Sequence, residues 1–208
     1  YEGGHRVPFI VSWPDGKIGD GDAESPGKKS SELGGLQDLY STFSKILGKP
    51  LPNLREGEKG AEDSFNILPA LKGKSLPHRP MFYNDHKEAD NGAACAVRID
   101  NPTVAGKPMK GKWKIFFNDS LTRFGKASAV ELFELSSDPM ESRNRIAEKG
   151  LKPLIEELIS IALLHRNTGG HRFVKFAPEK RFVFDWKKPL PVPSPITFFV
   201  STKGGDGI

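Results

Sequence analysis

A single cysteine, Cys95, occurs in 208 residues, so no disulfide can form within the chain. Free cysteines mostly behave as small apolar residues, and Cys95 is expected to fill a buried strand position. No apolar run approaches the roughly 20 residues that a membrane-spanning helix needs, and no membrane partner is expected. A Gly-x-Ser-x-Gly elbow, which would present a hydrolase serine, is missing. Also missing are RNP, KH, zinc-finger and helix-turn-helix signatures and any internal repeat. There is no acidic excess either: 31 Lys and Arg stand against 26 Asp and Glu, a net charge of +5. That balance invites a nucleic-acid reading, yet the basic residues are spread along the chain. In Lys112-Trp113-Lys114-Ile115-Phe116-Phe117, strand alternation puts charges on one face and aromatics on the other. No nucleic-acid partner is therefore expected.

What is present is a globular composition, 37% hydrophobic and 27% charged, enough for one core or one and part of another. The chain opens on Tyr1-Glu2-Gly3-Gly4-His5-Arg6-Val7-Pro8. Gly3-Gly4 suggests a tight turn at positive φ, after which Arg6 is expected to turn inward against a carboxylate. Phe9-Ile10-Val11 reads as a buried strand running to Trp13 and ended by Pro14. So dense a junction, with no initiator Met, reads as the middle of a domain whose earlier part is missing. Residues 15–31 form a polar surface loop. Leu36, Leu39, Tyr40, Phe43, Ile46 and Leu47 make one apolar helical stripe, closed at Gly48. Asp63 or Ser64 is expected to cap a short helical turn through Leu71, ended by Gly73. From Pro80 the pattern changes to short strands at 81–83, 94–99, 113–117 and 130–135. A helix from about Lys152 to His165 follows, with Leu154, Ile155, Leu158, Ile161, Ala162 and His165 inward. Residues 172–176, 181–186 and the Pro-rich 189–195 could add a hairpin and an arm.

Several stretches, in order, resemble the type I sulfatases, the arylsulfatase-like enzymes of the alkaline-phosphatase superfamily. Glu2-Gly3-Gly4-x-Arg6-Val7-Pro8 with Trp13-Pro14 resembles their EGGxRxPxxxxWPG stretch. Gln37-Asp38-Leu39-Tyr40-Ser41-Thr42 is similar to a D-[LI]-[YF]-x-T helix, and Glu62–Leu71 to a following segment. Cys95-Ala96-Val97-Arg98 with Gly111-Lys112-Trp113-Lys114-Ile115 resembles an AVRxGxWKL hairpin. Glu131-Leu132-Phe133-Glu134-Leu135 through Asn144 resembles ELYDLxxDPxExxN. Together these cover roughly residues 1–165. The resemblance implies an α/β fold. Residues 1–79 would be the end of an alkaline-phosphatase-like α/β domain, and 80–165 a small antiparallel sheet packed by a helix. Residues 166–208 would be a tail.

The same resemblance implies a sulfuric ester hydrolase acting on aryl or carbohydrate sulfate esters, placed in the periplasm or secreted. Its formylglycine nucleophile, made in a Cys/Ser-x-Pro-x-Arg tract, would cleave the ester while a Ca²⁺ ion, with Lys and His donors, neutralises the sulfate oxygens. Cys95 sits in Cys-Ala-Val-Arg, without the proline, so it is not read as that nucleophile. The tract is read as absent. The Asp and Asn cation ligands and the catalytic Lys are expected to lie before Tyr1. Hence no catalytic residue, metal ligand or cofactor is assigned to this chain, which is expected to be inactive and poorly stable by itself. Asp90-Asn91-Gly92 spells a ligand tripeptide but falls in the wrong order, and Asn-Gly is a favoured turn. Substrate contact is assigned to His5, Asp85 and His86, since a neutral His beside a carboxylate can orient a sugar hydroxyl or an anion. The implied partner is a sulfated small molecule or glycan. The alternative is a non-catalytic binding or scaffold protein derived from such an enzyme, recognising sulfated glycans. His78 reads as surface loop, and His165 as capping its helix end.

Overall fold

A computed structural model describes residues 1–19, 27–84, 93–118, 128–168 and 172. The readings placed on Asp85, His86, Asp90-Asn91-Gly92, His171 and the chain beyond 172 lie outside the described residues. The chain divides into two compact units, Tyr1–Leu51 with Asp63–Pro77, and Pro52–Glu62 with the chain from His78 onward.

In the first unit Gly3 and Gly4 do not adopt positive φ. They lie inside a one-turn helix, α1 (Glu2–His5), closed by the Arg6 N–H on the Glu2 carbonyl at 2.7 Å. Glu2 is buried and Arg6 is exposed, so the inward turn expected of Arg6 is not made. The strand expected at 9–13 is not formed either. An extended run becomes a strand only when a neighbour takes its backbone hydrogen bonds. Among the described residues the one pairing here is the bridge of Trp13 with Ile18, across the turn Pro14–Gly16. Ile10 is left 90% exposed.

The stripe at 36–47 does form a helix, α2 (Asp38–Leu47). Gly48 closes it at φ 63°, and its N–H and that of Lys49 return to Lys45 and Ser44. Most of the apolar stripe points outward: Leu36 is 67% and Leu47 69% exposed, with Tyr40 and Phe43 exposed between them and Leu39 and Ile46 half-buried. Asp38, Ser41 and Thr42 are the buried face. A short helix, α3 (Leu68–Leu71), follows. Asp63 and Ser64 do not cap it; the Asn66 side chain accepts the Leu68 N–H at 3.0 Å.

The second unit is built on a four-stranded antiparallel sheet in the order β1-β2-β5-β6: β1 (Met81–Asn84), β2 (Ala93–Asp100), β5 (Lys112–Asn118) and β6 (Ala129–Glu134). Its central register pairs Val97 with Ile115 and Ile115 with Leu132. Between β2 and β5 the chain makes a small hairpin of β3 (Thr103–Val104) and β4 (Lys107–Pro108). The helix α4 (Lys152–Thr168), entered through a turn at Lys149–Leu151, lies on one sheet face. Period-2 alternation brings Val97, Ile99, Trp113, Ile115, Phe117 and Leu132 to that face. There they meet Leu151, Leu154, Leu158, Ile161 and Ala162 in one buried cluster. A second cluster, Ala96, Phe116, Phe133 and Leu135, occupies the other face. The expected antiparallel sheet packed by a helix is thus present. Arg172 returns to this unit's early loop, its N–H donating to the Glu62 carbonyl at 3.0 Å and its guanidinium to that of Pro52.

Candidate functional site

The motif residues on α2 have a structural task. Asp38 accepts the Gly35 N–H at 2.8 Å with one carboxylate oxygen and the Phe65 N–H at 2.9 Å with the other. The Ser41 N–H donates to the Ser64 hydroxyl at 2.8 Å. The Ser41 hydroxyl donates to the Ser64 carbonyl at 2.7 Å. Thr42 donates its hydroxyl to the Asp38 carbonyl and accepts the Ile67 N–H at 3.0 Å. Two stretches singled out separately, 37–42 and 62–71, are therefore halves of one hydrogen-bonded staple. This staple consumes the polar face of α2 and leaves the apolar face outside.

The stretch 131–144 serves the second unit in the same way. Glu134 accepts the N–H groups of Lys112, Ser136 and Ser137 at 3.0 Å each, and the Ser137 hydroxyl at 2.6 Å. Burial alone would raise its pKa, but the bonds from Ser137, Ser136 and Lys112 outweigh burial and lower it to about 2. Asp138 accepts from the Ser142 and Arg143 N–H groups, which hold its carboxyl below the usual range. Asn144 covers the β6 edge, accepting the Leu132 N–H at 3.1 Å and donating to the Val130 carbonyl at 3.2 Å. The Arg145 N–H completes that edge on the Leu132 carbonyl. Its guanidinium pairs with Glu148 at 2.7 Å and lies over the Trp113 ring.

One ionic site escaped the sequence reading. Lys114 is fully buried, with Nζ 3.1 Å from the equally buried Glu141 carboxylate. The ammonium also lies 4.9 Å from the Phe116 ring centroid and 5.4 Å from that of Tyr83. Glu141 reaches it from a left-handed backbone, φ 53°. A Lys between Trp113 and Ile115 in an otherwise apolar strand was the available signal; its carboxylate partner lies 27 residues away, where no local period could point.

Of the assigned substrate-contact residues, His5 ends α1 and is exposed, while Asp85 and His86 lie outside the described residues. His78 is exposed. His165 does not simply extend from its helix end: its ring stacks on Phe82 of β1, centroids 3.5 Å apart. Cys95 is buried in β2, and burial pushes its thiol up to about 11, so it stays protonated and unreactive near neutrality. The nucleophile tract read as absent is present by letters, as Ser75-Leu76-Pro77-His78-Arg79. Ser75 is exposed and Arg79 buried, on the connector where the chain passes from one unit to the next. Among the described residues no three His, Cys, Asp or Glu gather into a group that could hold a metal ion.

No family model matches the chain. Curated relatives do. It is 36% identical over 83 residues to an N-acetylgalactosamine-6-sulfatase of Canis lupus familiaris, covering 40% of this chain and 14% of the relative. It is 28% identical over 152 residues to an N-acetylgalactosamine-6-O-sulfatase of Bacteroides thetaiotaomicron, covering 69% and 24%. An arylsulfatase of Hemicentrotus pulcherrimus is 37% identical over 84 residues, covering 40% and 13%. Among solved structures, a protein in complex with its substrate D-glucosamine-2-N,6-O-disulfate aligns with a TM-score of 0.37 at 14% identity, over 60% of this chain and 22% of that one. The chain thus spans at most about a quarter of the length of these relatives. These curated relatives are sulfatases, and the chain's low coverage of each is consistent with a C-terminal portion of one.

Proposed function

We propose that this chain is a scaffold portion of a sulfuric ester hydrolase acting on carbohydrate sulfate esters. The formylglycine nucleophile, Ca²⁺ ligands and catalytic Lys would come from sequence outside these 208 residues. The observation that carries this is the division of labour in the matched stretches. Asp38, Ser41, Thr42, Glu134, Asp138 and Asn144 are all spent on backbone hydrogen bonds, and none is left to attack a sulfate. The relatives named for N-acetylgalactosamine-6-sulfate chemistry support an amino-sugar sulfate as substrate class. Within such an enzyme His5, Asp85 and His86 are our candidates for substrate contact.

The test has two arms. The 208-residue chain, supplied with Ca²⁺, is expected to turn over neither nitrocatechol sulfate nor a 6-sulfated amino sugar, and mass spectrometry is expected to find Ser75 unoxidised. A protein encoded by the same reading frame with its upstream sequence is expected to turn them over, with His86→Ala raising KM. Turnover by the 208 residues alone, abolished by Ser75→Ala, would overturn the proposal. An upstream sequence without a Cys/Ser-x-Pro-x-Arg tract would instead favour the non-catalytic, glycan-binding alternative.

A further inference from the structure

We infer that the β3–β4 hairpin of the second unit is a docking surface for an anionic, sulfated polysaccharide. Between Asn101 and Asn118 the sequence holds no Asp or Glu but four Lys. One of them, Lys114, is buried against Glu141. The other three, Lys107, Lys110 and Lys112, lie within six residues; Lys107 and Lys110 are exposed and Lys112 half-buried. Among the described residues none of these three ammonium groups forms an ion pair. Of the described carboxylates beside Lys112, Asp100, its cross-strand partner, pairs with Arg98 at 3.3 Å and Glu134 holds four donors.

The backbone that presents these charges is well fixed. Ala105 and Gly106 both take positive φ, 47° and 82°, which matches the right-handed twist of a two-residue hairpin turn. At the base the Asn101 N–H donates to the Gly111 carbonyl at 2.7 Å, and the Gly111 N–H to the Asn101 side chain at 3.1 Å. The Met109 N–H donates to the Pro102 carbonyl at 2.7 Å. Gly111 sits at φ 123°, where a Cβ would lie 2.8 Å from the Trp113 indole nitrogen, so no larger residue fits that base. Val104 and Met109 anchor the hairpin against the α4-side core. Consecutive Lys are at most three residues apart, roughly 10 Å along extended chain. That is about one Debye length at 0.1 M salt, so their fields overlap at that ionic strength and weaken as salt rises. A polymer with repeated sulfates meets several of them at once; a single small anion does not. The inference borrows from the proposed function only the choice of glycan and requires no turnover.

The test uses the 208-residue chain and heparin as the probe. Lys107→Gln, Lys110→Gln and Lys112→Gln together are expected to weaken heparin binding roughly tenfold and to flatten its salt dependence. Lys72→Gln, Lys74→Gln and Lys149→Gln, which remove the same charge elsewhere, are expected to change it less than twofold. Acetylation footprinting of the unaltered chain gives a readout independent of folding of the variants, with heparin expected to protect Lys107 and Lys110. Equal losses from both triple variants, no protection of the hairpin lysines, or equal competition by DNA of matched charge would each overturn the inference.

Discussion

The two units treat their apolar residues in opposite ways. In the second, helix α4 and the sheet turn their apolar faces together, and Val97, Ile115, Phe117, Leu132, Leu154 and Leu158 are lost from solvent. In the first, α2 turns its polar face inward and its apolar stripe out. Nine large hydrophobic residues are exposed among the described ones. Eight of them, Tyr1, Val7, Phe9, Ile10, Leu36, Tyr40, Phe43 and Leu47, belong to the first unit, with Met140 the exception. The second unit is therefore held by hydrophobic burial, at about 25 cal/mol for each Å² removed from water. The first buries fewer apolar residues, Ile18, Ile67 and Ala70 among them, and leans more on hydrogen bonds, which contribute only about 0.5–1.5 kcal/mol apiece, net of the water they displace.

The largest effects should come from breaking the second unit's interior. Lys114→Ala takes the buried ammonium from beside Glu141 and is expected to cost about 3–5 kcal/mol of unfolding free energy in urea titrations followed by Trp fluorescence. Leu158→Ala should cost about 2–5 kcal/mol by the same measurement, because its site is closed on all sides. In the first unit Asp38→Ala removes the acceptor of two N–H groups. It should cost about 1–3 kcal/mol locally, read as faster hydrogen exchange at Gly35 and Phe65 while the second unit's melt is unchanged.

Acid provides a gentler probe of the second unit. The Glu134 pKa is about 2 in the fold against an ordinary 4.5, so the stability it contributes is complete above about 4.5. It should fade as pH falls from there toward about 2, and Glu134→Gln should lose that part of the acid dependence. The smallest effect is expected on the outer stripe. Phe43→Ser with Leu47→Ser should leave stability within about 0.5 kcal/mol while lowering the binding of an apolar dye.

Where sequence and structure agree, the cause is a local period or a terminator. The helices at 38–47 and 152–168 and the four strands follow from 3.6- and 2-residue alternation, with Gly48 ending the first helix as its conformational freedom suggests. Disagreement arises where the answer depends on a distant partner. Phe9-Ile10-Val11 has the composition of a strand but no described neighbour to pair with. The 36–47 stripe marked the helix, but that its opposite, polar side would be the one held inward depends on Ser64, Phe65 and Ile67, 23 or more residues beyond the groups they bond. The Lys114–Glu141 pair likewise joins residues no pattern connects. As for the candidate site, the Ser75–Arg79 letters stand in the sequence, but their surroundings in the fold, an exposed Ser75 and a buried Arg79, could not be read from it. The stretches that resemble sulfatases turned out to name structural staples.

Native-state hydrogen exchange, resolved by residue, compares the two units most directly. Amides of β2, β5 and α4, such as Val97, Ile115 and Leu158, should exchange only through global opening, with protection that falls in step as urea rises. Those of α2, such as Phe43 and Ile46, should exchange at least tenfold faster through local opening that urea barely affects. Equal protection of α2 and β5, falling together with urea, would show that the first unit's apolar face is buried in solution and would contradict this account.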